Sequence, residues 1–171
     1  FWILFRVILP VVIVIRALEL LGAIPYLAKF LEPLTSFIGI DGSLGLVWMA
    51  AILVNIYAGM AAFASLQPIF DYTVAETTIL GLIILIAHSL PIEVAIARQS
   101  RVSAIFNLLF RFINAVIAGK ILNYIFIKYE LFNEKNSSIL DVPIDIVSNL
   151  DWLILQFKNF LIIFMIIFLI I

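Results

Sequence analysis

His88, Pro91 and Glu93 stand together at the centre of TTILGLIILIAHSLPIEVAIARQS, an apolar stretch from Thr77 to Ser100 long enough to cross a bilayer. A charge near mid-membrane is unfavourable, by about 2.5 to well over 10 kcal/mol, so such residues face a bundle interior or an aqueous cavity. Proline removes a helix hydrogen bond and clashes with the preceding turn, and a broken helix at that depth is tolerated where its backbone is buried in protein or lines a cavity. Two readings follow. His88 and Glu93 form a ligand or proton site at a helix break, the histidine titrating near neutral pH, or they satisfy backbone groups that a kink sets free. The chain holds one histidine and no cysteine, a poor shell for a first-row metal, so neither a metal nor a cofactor is expected. Ser89 adjoins His88 without the flanking glycines of a nucleophile elbow, and catalysis is not expected.

Three stretches carry polar residues at helical spacing. Ser103, Asn107, Arg111, Asn114 and Ala118 fall on one face of Val102–Ile127. Arg111 is too far from either end to snorkel well. It is read either as inter-helix glue or as the counter-ion of Glu93 or of an anionic ligand. Ala51, Asn55, Ala58 and Ala62 form a stripe of small residues around one amide in Leu44–Leu66, suited to close helix packing. Tyr57 lies in the same stretch, deeper than an aromatic belt, and Trp48 is placed as an interfacial anchor. In the proline-bearing span, Thr77, Gly81, Ile84 and His88 share a face, and Arg16 and Glu19 are spaced to pair. The ligand-binding candidates are therefore Asn55, Tyr57, His88, Glu93, Arg111 and Asn114.

These residues are held by an all-α, polytopic membrane framework. Apolar residues make up 65% and charged residues 12% of the 171, far from the soluble norm, and the mean hydropathy is +1.26. The net charge of −1 gives no footprint for nucleic acid. About five spans are expected: Phe1–Gly22, Leu44–Leu66, Thr77–Ala97 with its proline break, Val102–Ile127 and Leu150–Ile171. The stretch Tyr26–Ile40, interrupted by Pro33, reads as an interfacial or re-entrant piece. Arg98 and Arg101 make their turn basic and place it in the cytoplasm, with the acidic loops Gln67–Glu76 and Tyr129–Asn149 outside. The chain opens and closes inside apolar runs, as a piece of a longer protein would. FWILFRVILPVVIVI and DWLILQFKNFLIIFMIIF resemble one another; either composition alone produces this, or residues 1–127 form one repeat unit, 128–149 a polar loop and 150–171 the first helix of a second unit.

At Asn55-Ile56-Tyr57-Ala58-Gly59 and Ala87-His88-Ser89-Leu90-Pro91-Ile92-Glu93 the chain resembles the nucleoside recognition, or Gate, domain family of bacterial membrane proteins. That group includes spore maturation proteins and is related to the Gate segments of ferrous-iron permeases and concentrative nucleoside transporters. The likeness runs from about Pro10 to about Tyr124. It implies helical repeats with broken helices in a bacterial cytoplasmic (inner) membrane, multi-pass, and a role in transport. The expectation is a permease-like unit that binds a small polar solute at the break. The alternative is a non-transporting scaffold assembled with a partner membrane protein or with a second copy. The absence of cysteine speaks against ferrous iron as cargo.

Overall fold

The computed structural model describes residues 2–67 and 70–136, with isolated helical positions between 154 and 165. The span expected at Leu150–Ile171, the greater part of the loop at Tyr129–Asn149 and the suggested start of a second repeat fall outside the described residues. Within residues 2–67 and 70–136, seven helices follow in order: α1 Trp2–Leu20, α2 Ile24–Ile38, α3 Gly42–Leu53, α4 Ile56–Leu66, α5 Val74–Ile86, α6 Leu90–Gln99 and α7 Ala104–Lys128. Among the described residues the sole extended pairing is a bridge between Thr73 and Lys135.

Among the described residues, two elements are long and apolar enough to cross a membrane: α5 with α6 taken together, Val74–Gln99, and α7, Ala104–Lys128. A third crossing exists if the bent pair Leu9–Leu20 and Ile24–Ile38 is counted as one span. The bend between those two is 105°, so Tyr26–Ile40 does depart from the line of the preceding helix.

Leu44–Leu66, expected as one crossing, is instead two helices of 12 and 11 residues that fold back on each other. A Cβ at Gly59 would lie 2.8 Å from the Cβ of Ala51 and 3.4 Å from the Val47 carbonyl, an approach impossible along a continuous helix. The hairpin also begins and ends at one end of the molecule. Ser43, in the first turn of α3, meets Tyr72, just beyond α4, through their hydroxyls at 2.7 Å. Asn55 drives the reversal: its extended backbone ends α3, and its side-chain oxygen accepts the Ala58 N–H at 2.9 Å to start α4. At about 1.5 Å per residue, α3 and α5 descend to similar depths from that end, so the hairpin's tip stops beside the break that follows α5.

That end is tied together by caps. Thr73 and Glu76 form a reciprocal capping box at the start of α5, and Glu76 also accepts the Asp41 N–H at 3.1 Å. Asp41 in turn caps α3 through the Ser43 N–H. The segment after α7 accepts from the start of α5, the Glu134 carbonyl from the Val74 N–H and the Phe132 carbonyl from the Ala75 N–H, and Lys135 pairs with Asp71. The described part of the Tyr129–Asn149 loop thus meets the loop Gln67–Glu76. The core runs from Ile38 and Leu44 through Val47, Trp48 and Ala51 to Ile79 and Ile83, with Ala115 of α7 against it.

Candidate functional site

The helix break predicted at Pro91 is present, and it falls just ahead of the proline. α5 ends at Ile86, α6 begins at Leu90, and Ser89 between them has φ 51°, a left-handed conformation for a residue with a side chain. Proline at the second position of α6 needs no hydrogen-bond donor there. What the break exposes is the carbonyl end of α5, with its partial negative charge.

Side chains from several elements close that end. The Ile84 carbonyl accepts from His88 Nδ1 at 2.8 Å, which places the ring proton on Nδ1. The Ile86 carbonyl accepts from Arg111 Nε at 2.9 Å. The Ala87 carbonyl accepts from the Trp48 indole at 3.3 Å, while the Ala87 N–H still bonds to Ile83. Across the break, the Ser89 N–H donates to the Ala51 carbonyl at 2.9 Å. Ala51 is one of the last carbonyls of α3, so the broken end of one element meets the broken end of the other.

Arg111 joins both halves of the interrupted span. One nitrogen caps α5, and another pairs with Glu93 Oε2 at 3.0 Å. Glu93 sits in the first turn of α6, where the helix dipole favours an anion. The reading of Arg111 as counter-ion to Glu93 and the reading of it as glue therefore describe one side chain doing both. The pair is half open: Arg111 retains 21% and Glu93 40% of side-chain surface.

His88, Glu93 and Arg111 come together at the break, and Asn55 lies in the hairpin's tip beside it. Tyr57 occupies the first turn of α4, partly exposed. Asn114 lies apart: it is exposed, and its amide donates to Phe110 on its own helix at 2.6 Å. The inward face of α7 is accordingly rotated from the expected polar stripe. It passes through Arg111, Ala115, Gly119 and Phe126, the last three buried, and a Cβ at Gly119 would meet Ile38 and Ile83 at 2.6 and 2.9 Å. The expected polar face of α5 is likewise displaced. Ile79, Leu80, Ile83 and Ile84 are its buried residues, while Gly81 opens outward with nothing near it.

Sequence reasoning missed two contributors. Trp48, expected as an interfacial anchor, is 1% exposed and stacks on Phe112 with ring centroids 5.2 Å apart. Its indole caps the break, and nothing in its position along the chain signals that. Ser89 acts through its backbone. Among the described residues, no three His, Cys, Asp or Glu side chains gather as a metal shell.

The chain is similar to the uncharacterized membrane protein YvoD of Bacillus subtilis (strain 168), 28% identical over 98 residues. Those residues make up 57% of this chain and 30% of that protein's length. No protein-family model matches the chain, and no solved structure does. With its membrane-length apolar helices, the chain is a helical membrane protein related in sequence to an uncharacterized membrane protein.

Proposed function

We propose that this chain is a permease-like unit of a bacterial inner membrane, binding a small polar solute beside the break between α5 and α6. The observation that carries the reading is the meeting of two interrupted helical elements, the Ala51 carbonyl of the hairpin accepting the Ser89 N–H of the broken span. Helix interruptions at that depth are a recurrent way of presenting backbone and charged groups to a solute in transporters. His88, Glu93 and Arg111 supply the polar groups, with Asn55 and Tyr57 on the hairpin side. The resemblance to the Gate domain family points the same way. The role is binding and passage, with no chemical step, in a bilayer and together with a second copy or a partner membrane protein.

A second reading has its own support. The Ile84, Ile86 and Ala87 carbonyls already have protein donors, as they would in a scaffold whose break serves rigid packing. The test is accessibility. These 171 residues hold no cysteine, so single cysteines at His88 and Glu93, in full-length protein with any cysteine outside them replaced, report on one place each. Labelling by a membrane-impermeant thiol reagent from both sides is the expected result. Protection from both sides in folded, inserted protein sinks the transport reading and leaves the scaffold.

A further inference from the structure

We propose that a second copy of this chain docks on the outward face of α7, the two α7 helices running parallel with Asn114 facing Asn114 across the seam. The surface is one that the break between α5 and α6 does not use, and the pairing holds whether the unit carries a solute or serves as a scaffold. α7 turns Ala115, Gly119 and Phe126 into the core. Its other side carries Asn107, Asn114 and Ile121 at seven-residue spacing, with Phe110, Ile117 and Tyr124 three residues after each. That is the a and d pattern of a coiled-coil seam, whose left-handed crossing most membrane helix bundles share. Among the described residues no helix lies on this seam. Phe110, Ile117, Ile121 and Tyr124 are each more than half exposed, and Asn114 is exposed among them.

Lipid covers an apolar face without loss, but it does not satisfy an amide. Asn114 lies about 15 Å along α7 from Ala104 at ~1.5 Å per residue, close to the middle of the span. Its Nδ2 donates to the Phe110 carbonyl at 2.6 Å. Among the described residues its oxygen and its second N–H have no partner, and hydrocarbon offers none. A helix that supplies one is therefore favoured. The amide itself selects the partner. It holds a donor and an acceptor side by side, so it satisfies its own counterpart when two copies meet about a two-fold axis. Copies inserted in one membrane share an orientation, so that axis runs along the membrane normal and the two α7 helices are parallel. Asn107, one heptad earlier, meets Asn107 in the same way, and an asparagine at an a position is what fixes register in parallel coiled coils. From Asn107 to Tyr124 the seam sets no charge against a like charge. Lys120 lies beside it, over the Phe37 ring, and Arg111 is turned to Glu93.

The experiment uses purified full-length protein, with any cysteine outside these 171 residues replaced, in phosphatidylethanolamine–phosphatidylglycerol vesicles, so that a second copy is the one protein partner available. Single substitutions Phe110→Cys, Ile117→Cys, Ile121→Cys and Tyr124→Cys sample the seam. Ile105→Cys and Leu109→Cys are exposed but lie off it. A disulfide needs Cα atoms within about 7 Å, and a parallel seam brings a residue that close to its own copy at the a and d positions. Oxidation should give covalent dimers at the four seam positions and few at the other two. Equal cross-linking at all six reports random collision and overturns the proposal. Absence of cross-linking on the seam overturns it as well, and leaves the face to lipid or to the segment Leu150–Ile171. Energy transfer between copies labelled at Ile105→Cys, over a series of lipid dilutions, gives the dissociation constant of the pair. Asn114→Leu should raise it about three- to thirtyfold, the range for polar bonds between membrane helices, and Asn114→Gln, which keeps the amide, should recover most of the loss. A constant unchanged by Asn114→Leu overturns the proposal, because the amide is what selects a second copy. If the leucine variant does not fold, the cross-linking pattern in chains native at Asn114 decides alone.

Discussion

Ser89 donates its backbone N–H to the Ala51 carbonyl at 2.9 Å, and this one bond joins the tip of the α3–α4 hairpin to the break between α5 and α6. Each partner lies where its own helix has run out of internal hydrogen bonds. Orphan groups at helix ends must find partners, and in an apolar surrounding an unpaired one is unfavourable by several kcal/mol. The two interruptions therefore stabilise one another, and a change at either should be felt at both.

Substitution of Ser89 separates the joint's conformation from its bond. Ser89→Gly keeps the N–H and relieves left-handed strain of about 1 kcal/mol, so a gain in stability of that order is expected. Ser89→Pro fixes φ near −65° and removes the donor, and a loss of about 3 kcal/mol or more is expected. Equilibrium unfolding in mixed micelles reads both.

Removing Arg111 leaves the Ile86 carbonyl and Glu93 without their partner. Arg111→Leu should destabilise by about 1.5–3 kcal/mol, the range for hydrogen bonds to charged groups, toward the lower end because Glu93 is 40% open. Adding Glu93→Leu should recover part of that loss, since an apolar pair of similar volume can replace an ion pair. A double-mutant cycle by the same unfolding assay checks this, and strict additivity would contradict the pairing.

Two glycines offer a matched contrast. A methyl at Gly59 would press on the Ala51 Cβ at 2.8 Å, whereas at Gly81 it would meet nothing within 4 Å. Gly59→Ala should destabilise by about 1–3 kcal/mol through overpacking. Gly81→Ala should stabilise by up to about 1 kcal/mol through helix propensity.

Tyr72 lies outside the spans, and burial raises its hydroxyl well above the usual tyrosine range near 10. The Ser43 hydrogen bond opposes this, and the Asp41 and Glu76 charges add to it. As pH rises, the unfolded chain gives up this proton before the folded one. Stability from this group is therefore intact below about pH 10 and is lost progressively above it. Tyr72→Phe should flatten that alkaline decline, while losing about 1 kcal/mol at neutral pH with the bond to Ser43. Ultraviolet titration of the tyrosines alongside unfolding tests both.

The acidic end should respond unequally. Glu76 accepts from the Thr73 and Asp41 N–H groups at 2.9 and 3.1 Å, so Glu76→Ala should destabilise by about 1–2 kcal/mol. Lys135 and Asp71 are 76% and 79% exposed, and Lys135→Ala should change stability by about 1 kcal/mol at most. Thermal unfolding of the two variants ranks them.

Several features were determined by the sequence alone. Its apolar composition makes it a membrane protein, since no polar surface remains to keep such a chain in water. Pro91 points to an interruption in Thr77–Ala97, because its ring removes a helix N–H and crowds the preceding turn, whereas α1 and α2 run on through Pro10 and Pro33. Arg111, too deep to snorkel, calls for a partner, with glue, Glu93 or an anionic ligand all open until the structure pairs it with Glu93. Arg16 and Glu19 pair as their spacing dictates, at 2.8 Å. Tertiary structure decided the rest. Hydropathy has no sense of direction, so two short apolar helices joined at Asn55 fill the same window as one crossing. The contacts of Gly59 with Ala51 and of Ser43 with Tyr72 show that the chain turns back. Helical spacing shows which residues share a face but not which face is turned inward, and that is why Asn114 points away while Ala115 is buried. The carbonyl caps from Trp48 and the Ser89 N–H join residues far apart in the chain, where no local pattern could have brought them together.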